Sequence, residues 1–218
     1  MTRSDRNRVL ILASRSPRRA EILGEAAIEF RVVTTDIDED ELLSGSPRLA
    51  DAVQQVALEK ARTAAELTRG SVVLGADTVV ALDGEVLGKP SSPGHAIEML
   101  QRLKGRSHDV ITGVAVVGPA GESHTGFVST AVRFRELDDD EIADYVATGS
   151  PFDKAGGYGI QDSLFAPVES YDDCYLNVVG LPMCVTSELL ENTGLLPPGN
   201  ITCRGHARFE AVGTKVPR

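Results

Sequence analysis

Cysteine is scarce in this sequence. Its 218 residues include only Cys174, Cys184 and Cys203, and no two of them are spaced as a Cys-x-x-Cys pair. An odd number of cysteines without that spacing argues against both a disulfide framework and a zinc site. We therefore expect all three cysteines to be free thiols.

Long hydrophobic runs are also missing. No stretch approaches the roughly 20 consecutive apolar residues that a membrane-spanning helix requires. The first eight residues, MTRSDRNR, are polar, and the apolar run after them is too short for the core of a signal peptide. Hydrophobic residues make up 42% of the chain, which can supply a real core. We expect a soluble, cytoplasmic protein that does not bind a membrane.

Positive charge is in the minority. The chain has 22 Lys and Arg residues against 32 Asp and Glu, a formal net charge of -10. Nucleic acids are bound by a broad basic surface, so we expect no nucleic-acid partner. A small polyanion could still bind where a few basic groups are concentrated.

Three common catalytic and nucleotide-binding signatures are absent. The chain contains no GxSxG, no GxxxxGK(S/T) loop and no GxGxxG, and spacing singles out none of its four histidines. These absences argue against a serine hydrolase triad and against a P-loop or Rossmann-type nucleotide site.

Strand-like and helix-like apolar patterns alternate along the chain. We predict strands over residues 9–13, 30–34, 71–75, 78–82, 110–117 and 127–134, with Asp83-Gly84 as a hairpin turn. We predict helices starting at the Ser-Pro pairs 16–17, 46–47 and 92–93, then a short helix from residue 138 and a last one over 181–190. This order indicates an α/β fold with a mixed sheet.

The first strand runs into a loop of serines and arginines. Residues 14–19 read SRSPRR, and Arg18 and Arg19 fall in the first turn of the predicted helix. A positive side chain is unfavourable at that end of a helix unless an anion is bound there. Ser14, Arg18 and Arg19 are therefore candidates for a phosphate site. The alternative is a plain Ser-Pro cap with surface arginines.

Acidic and basic residues elsewhere could complete such a site. Asp77 follows an apolar run and could hold a metal or act as a general base, and Lys89 follows the predicted hairpin. Glu39, in an acidic run, could add a second carboxylate, and Lys60 lies beside a helical apolar stripe. The alternatives are a turn-capping Asp, a solvated acidic loop and lysines at the surface.

A glycine-rich loop supplies the last candidate. Residues 154–161 read KAGGYGIQ, in which glycines allow a close approach of the backbone to a ligand and Gln161 can pair with a base edge. Such a loop is as often merely flexible. The residues alone thus indicate phosphate-ester or phosphoanhydride chemistry with a divalent cation.

At these residues the sequence resembles the Maf family of nucleoside triphosphate pyrophosphatases over residues 9–192. The resemblance rests on an ordered set of segments: LASRSPRRAEIL, IDED, EKA, LGADTVV, GEVLGKP, AIEML, DKAGGYGIQ and NVVGLP. It implies a two-lobed Maf/inosine-triphosphatase-like α/β fold with a curved mixed sheet and a central cleft. On this basis we expect one domain over residues 1–199 and a carboxy-terminal extension over 200–218. The resemblance to this family also suggests a homodimer.

The resemblance also implies roles for the candidate residues. It makes Asp77 the general base, with Glu39 and Asp77 associated with a divalent cation, Mg²⁺ or Mn²⁺, and Lys89 a catalytic cation. It places further polar and basic residues along the substrate: Ser14, Arg18, Arg19 and Lys60 at the triphosphate, and Thr78 and Gln161 at the base.

The substrate implied is a pyrimidine nucleotide. Ala76-Asp77-Thr78 resembles family members that act on dTTP and UTP, whereas members that prefer methylated GTP tend to carry Ser-Asp-Gln at these positions. We expect hydrolysis of dTTP, UTP and modified pyrimidine analogues to the monophosphate and pyrophosphate, as nucleotide-pool sanitation. The alternatives are a nucleotide-sensing regulator of cell division and septum formation, or a pyrophosphatase for another nucleotide such as methylated GTP or ITP.

Overall fold

The strands in the described part of the chain form one mixed sheet. The computed structural model describes residues 9–195, and within them seven strands pair in the order β2-β1-β3-β5-β6-β7, with β4 paired to β3. The strands are β1 Leu10–Ala13, β2 Phe30–Val32, β3 Val73–Leu82, β4 Glu85–Leu87, β5 Ser107–Val117, β6 Ser123–Phe134 and β7 Val168–Tyr171. β1 is parallel to β2 and β3, while β3/β4 and β6/β7 are antiparallel.

Seven α-helices are interleaved with these strands in the same part of the chain. They are α1 Pro17–Glu25, α2 Glu39–Ser44, α3 Leu49–Leu67, α4 Pro93–Leu103, α5 Asp139–Ala147, α6 Tyr175–Val179 and α7 Met183–Asn192. Short 3₁₀ turns follow α5 at Ser150–Asp153 and Ala155–Gly157. The predicted α/β class with a mixed sheet is confirmed. None of the helices in residues 9–195 has the length and apolar character needed to cross a bilayer.

The described residues form two compact units. The first comprises residues 9–77, 112–128 and 180–195, and the second comprises residues 78–111 and 129–179. The predicted extension over 200–218 and Cys203 lie outside the described residues. Of the other two cysteines, Cys174 is buried and Cys184 is exposed.

Small side chains build the core of the first unit. Ala57, Ala61 and Ala64 lie on one face of α3 and pack with Ala13 of β1 and Val73 of β3. Residues spaced by three or four share a helix face, and alanines on that face let the helix approach the sheet closely. This short separation between helix and sheet is what positions the functional side chains described below.

Larger side chains fill the second unit. Leu100 and Leu103 of α4 and Ile142 of α5 pack with Phe134 of β6 and Tyr158. Ser92 caps α4 by accepting a hydrogen bond from the His95 amide, as the Ser-Pro pattern predicts. Asp138 starts α5 through a capping box with Glu141.

The structure corrects the prediction of two strands over 71–75 and 78–82. A single strand, β3, runs unbroken from Val73 to Leu82, so Asp77 lies within a strand and not at its end. Gly75, Ala76 and Asp77 look like a break because they are small or polar. Nearly all of the residues of β3 are buried. Its backbone pairs with β1 as far as Gly75 and with β4 from Val80, so paired segments lie on both sides of Asp77.

The cap of α1 and the start of α3 also differ from the prediction. Ser16 precedes α1 but makes no side-chain cap; its amide instead donates to Oγ of Ser14. α3 begins at Leu49, not at Ser46-Pro47, and its N-cap residue Arg48 contributes no side-chain hydrogen bond. A Ser-Pro pair is therefore a less specific helix signal than its geometry suggests, and only the pair at 92–93 uses the serine as a cap.

Candidate functional site

The side chain of Lys60 joins two carboxylates in the first unit. Its Nζ donates a hydrogen bond to Oδ1 of Asp77 at 2.7 Å and lies 2.8 Å from Oε1 of Glu39. Lys60 and Asp77 are only 8% and 6% exposed, whereas the Glu39 side chain is 42% exposed. The surface alternative for Lys60 is therefore wrong, and so is the turn-capping alternative for Asp77, which lies within β3.

Close packing of α3 on β3 sets this geometry. A Cβ atom on Gly75 would lie 2.2 Å from the carbonyl oxygen of Ala57 and 3.0 Å from the amide of Ala61. Gly75 and Asp77 face the same side of β3 because strand side chains alternate. Lys60 follows Ala57 by three residues, so the two share a helix face. Contact at Gly75 thus brings Lys60 to Asp77.

A second glycine repeats this contact on the next strand. A Cβ atom on Gly113 of β5 would lie 2.6 Å from the carbonyl carbon and oxygen of Val53 in α3. Two backbone contacts, one at each glycine, therefore fix where α3 lies on the sheet. Neither contact tolerates even a methyl group without a shift of the backbone.

Glu39 is held by a short helix that the sequence did not predict. It is the first residue of α2, which packs against α3. Asp38 caps α2 by accepting a hydrogen bond from the Glu41 amide at 3.0 Å. The acidic run is partly helical, and its other four acids, Asp36, Asp38, Asp40 and Glu41, are exposed, as the solvated alternative expects. Glu39 is the exception, because α2 directs it to Lys60.

Arg19 is the second buried cation of the first unit. It lies in the first turn of α1, is 8% exposed, and donates from Nε to the carbonyl oxygen of Gly180 at 2.8 Å. Its Nη1 donates to Oγ of Ser14 at 3.1 Å. Burial lowers the pKa of the Arg19 guanidinium, while the charges of Asp77 and Glu39 act to raise it. Arg18, beside it, is half-buried.

Six of the predicted site residues thus belong to the first unit: Ser14, Arg18, Arg19, Glu39, Lys60 and Asp77. Direct contacts join Lys60 to both carboxylates and Arg19 to Ser14. Arg19, in turn, responds to the charges of Asp77 and Glu39. Two cations and two carboxylates therefore share one region of this unit.

The other three predicted residues belong to the second unit. Thr78 is half-buried on β3 directly after Asp77, and its side chain lies on the opposite face of the strand. Lys89 is exposed just beyond β4, and Gln161 is exposed in a turn. The amide of Gly156 donates to the carbonyl oxygen of Gly88 at 3.0 Å, which fixes the backbone before Lys89.

Lys154, in the glycine-rich loop, is held within that loop. Its Nζ donates to the carbonyl oxygen of Ser150 at 2.6 Å and pairs with the carboxylate of Asp153. Gly156 and Gly157 both have positive φ, +68° and +72°. Because such angles strain any other residue, the two glycines are needed for the path of the loop.

Sequence reasoning missed the importance of Gly75 and Gly180. The signal for Gly75 was present, because a glycine inside an apolar strand often marks a close approach of another backbone. Gly180 acts through its carbonyl oxygen, which any residue possesses, so no side-chain pattern could have identified it as the acceptor for Arg19.

The donor set fits a divalent cation that also contacts the substrate. Glu39 and Asp77 direct one oxygen each at a common cation, the Lys60 ammonium. No group of three His, Cys, Asp or Glu side chains suited to a metal occurs within residues 9–195. Mg²⁺ is typically bound by one or two carboxylates together with substrate phosphates and water, and two carboxylates meet that need.

The first unit of this α/β fold thus combines two carboxylates that share one lysine with two buried cations, Lys60 and Arg19. A model of the Maf-like protein family matches residues 9–193. The chain therefore belongs to the Maf family.

Curated relatives agree over nearly their whole length. A Geobacter sp. protein named dTTP/UTP pyrophosphatase is 47% identical over 195 residues, covering 88% of this chain and 98% of the relative. A Symbiobacterium thermophilum protein of the same name is 48% identical over 185 residues, covering 85% and 94%. Among solved structures, a nucleoside-triphosphatase, or dITP/XTP pyrophosphatase, from Mycobacterium abscessus is 17% identical at a TM-score of 0.36, covering 57% of this chain and 72% of that one.

Proposed function

We propose that this protein hydrolyses nucleoside triphosphates between the α and β phosphates and releases the monophosphate and pyrophosphate, with dTTP and UTP as preferred substrates. The observation that carries the proposal is the contact of Lys60 with both Asp77 and Glu39 in a Maf-family chain. The curated relatives named above as dTTP/UTP pyrophosphatases support the substrate.

Asp77 is the general base in this proposal. Its Oδ1 is oriented by the hydrogen bond from Lys60, and its other carboxylate oxygen, Oδ2, accepts a proton from the attacking water. Asp77 lies within a strand and is only 6% exposed, so its carboxylate has little freedom to rotate. A general base must be held within hydrogen-bonding reach of its proton, and a rigid strand supplies that constraint.

Basic and polar residues bind the triphosphate. Arg18, Arg19, Lys60 and Lys89 supply positive charge for the phosphate oxygens and for the leaving pyrophosphate, and Ser14 supplies a hydroxyl. Arginine's planar fork matches phosphate oxygens in pairs, and fixed charges of this kind stabilise charge that develops during the reaction. The concentration of Arg18, Arg19 and Lys60 within one unit reconciles anion binding with a net charge of -10.

Glu39 and Asp77 would hold the divalent cation, Mg²⁺ or Mn²⁺. When bound, such an ion neutralises charge on the phosphate oxygens and polarises the reacting phosphoanhydride. Thr78 and Gln161 would recognise the base, Thr78 through a hydroxyl and Gln161 through an amide that both donates and accepts. The homodimer and the cytoplasmic location stay predictions.

The test is pyrophosphate release from the purified protein with Mg²⁺, using dTTP, UTP, CTP, ITP and methylated GTP. We expect release from dTTP and UTP above the others, with an equal amount of monophosphate. Release of inorganic phosphate instead would contradict the cleavage position. Preference for another nucleotide would remove the role given to Thr78, and nucleotide binding without turnover would favour a sensor.

A further inference from the structure

We propose that Lys60 keeps the Glu39–Asp77 pair closed to free divalent cations, so that the metal binds there only together with a nucleotide. This inference rests on the proposed function for the identity of the nucleotide. It concerns a step before hydrolysis, namely how the ion reaches the two carboxylates.

The first reason is that the position between the carboxylates is already filled. Nζ of Lys60 lies 2.7 Å from Oδ1 of Asp77 and 2.8 Å from Oε1 of Glu39. Nζ donates a hydrogen bond to the Asp77 oxygen and forms an ion pair with the Glu39 oxygen. Mg²⁺ needs oxygens at about 2.0–2.1 Å, so an ion using both of them requires the space that Nζ occupies.

The second reason is that both carboxylates already interact with cations of the protein itself. Two carboxylates, Glu39 and Asp77, act on Arg19 as well as on Lys60. An incoming divalent cation alone would have to displace one positive group and approach another. Because the Lys60 side chain is only 10% exposed, water screens this repulsion weakly.

The third reason is that a triphosphate removes both obstacles at once. It brings more negative charge than the ion carries, and its oxygens offer Lys60 and Arg19 new acceptors. The flexible four-carbon stem of lysine allows Nζ to turn from the carboxylates toward a phosphate while α3 stays in place. Lys60 thereby couples metal binding to nucleotide binding through a single side chain.

The experiment measures Mn²⁺ binding to the full chain in the absence of nucleotide, by titration calorimetry and by the electron paramagnetic resonance signal of free Mn²⁺. We expect weak binding to the wild type and binding that is about tenfold tighter, or more, for Lys60→Met, because a charged competitor for both carboxylates is gone. Lys60→Arg keeps the charge and should bind no more tightly than the wild type.

Two control variants separate this effect from a general change in charge. Lys104→Met removes the same charge from a residue of the second unit that lies 3.6 Å from Asp139, and it should leave Mn²⁺ binding unchanged. Adding Glu39→Gln to Lys60→Met should abolish the gain. If Lys60→Met fails to fold, Lys60→Gln serves in its place, and Mn²⁺ should raise its melting temperature more than that of the wild type.

The proposal would be overturned if Lys60→Met or Lys60→Gln bound Mn²⁺ no more tightly than the wild type does. It would also be overturned if the wild type bound Mn²⁺ tightly and stoichiometrically without nucleotide. The calorimetric titration and the paramagnetic resonance measurement both use protein and Mn²⁺ without nucleotide, and neither depends on turnover. Their failure is therefore distinguishable from failure of the proposed function, which is tested by pyrophosphate release.

Discussion

Gly75 and Ala57 touch through their backbones: a Cβ atom on Gly75 would lie 2.2 Å from the carbonyl oxygen of Ala57. Asp77 follows Gly75 by two residues in β3, and Lys60 follows Ala57 by three residues in α3. The separation of α3 from β3 at this one point therefore determines whether Nζ of Lys60 can reach Oδ1 of Asp77 at 2.7 Å.

Gly75→Ala should damage both stability and activity. Forcing a methyl group between the two backbones must push α3 from β3, which we expect to cost about 1–3 kcal/mol in the free energy of unfolding. The same shift lengthens the contact of Lys60 with Asp77 and lowers kcat for dTTP. Gly94→Ala, in α4 where nothing lies within 4 Å of an added Cβ, should leave both quantities unharmed. Equal effects of the two substitutions would contradict this reasoning.

Arg19→Lys should weaken nucleotide binding and stability together. Lysine cannot reproduce the separate hydrogen bonds from Nε to Gly180 and from Nη1 to Ser14, so a buried acceptor loses its donor at a cost of about 1–3 kcal/mol. We expect a higher KM for dTTP and a lower urea midpoint. Arg31→Lys, at an exposed position of β2, is the matched control, and a similar loss there would count against a special role for Arg19.

Thr78→Gln should change substrate preference. The resemblance of Ala76-Asp77-Thr78 to members acting on dTTP and UTP predicts that kcat/KM for dTTP falls relative to methylated GTP, by about tenfold or more. The measurement compares the two substrates with the same enzyme preparation, so a change in folded fraction cancels. Thr125→Gln, at an exposed position of β6, should preserve the ratio. An unchanged ratio in Thr78→Gln would show that the base is selected elsewhere.

His108 should make stability depend on pH. It is buried between the rings of Phe134 and Tyr158 and contacts the Tyr158 hydroxyl at 2.7 Å. Burial lowers the pKa of His108 to about 4, against about 6.5 in an unfolded chain. Between these values the unfolded chain binds a proton that the native protein does not, so stability falls as pH drops through this window.

The size of this loss is up to about 3 kcal/mol between pH 6.5 and 4, and His108 contributes none above that window. Urea unfolding at several pH values measures it. His108→Gln should flatten the dependence, while His124→Gln, on β6, should retain it. Parallel curves for the wild type and His108→Gln would assign the pH dependence to other groups.

Short sequence patterns predicted those parts of the fold that are stabilised by residues close to them in the sequence. The Ser92-Pro93 start of α4 and the Asp83-Gly84 turn between β3 and β4 both form as expected. The placement of Arg18 and Arg19 in the first turn of α1 is likewise confirmed. In each case neighbouring residues supply the hydrogen bonds or the backbone angles, so the sequence pattern contains the cause.

The parts that could not be predicted depend on distant partners. Nearly all of β3 is buried, so it lacks the alternation that identifies a strand. Asp77 lies inside it between two paired segments, one joined to β1 as far as Gly75 and one joined to β4 from Val80. Arg19 finds its acceptor 161 residues away at Gly180. α2, α6 and β7 have six residues or fewer, too few to show a period.

The central proposal, that Asp77 activates water at a site that binds the triphosphate through other residues, is tested most directly with Asp77→Asn. Hydrolysis of dTTP and equilibrium binding of dTTP are measured on the same variant. We predict that hydrolysis falls by about 10²–10⁴-fold while the dissociation constant changes little, since asparagine still offers an oxygen to Lys60. Equal loss of binding and hydrolysis, or undiminished hydrolysis, would contradict the role of Asp77 as the general base.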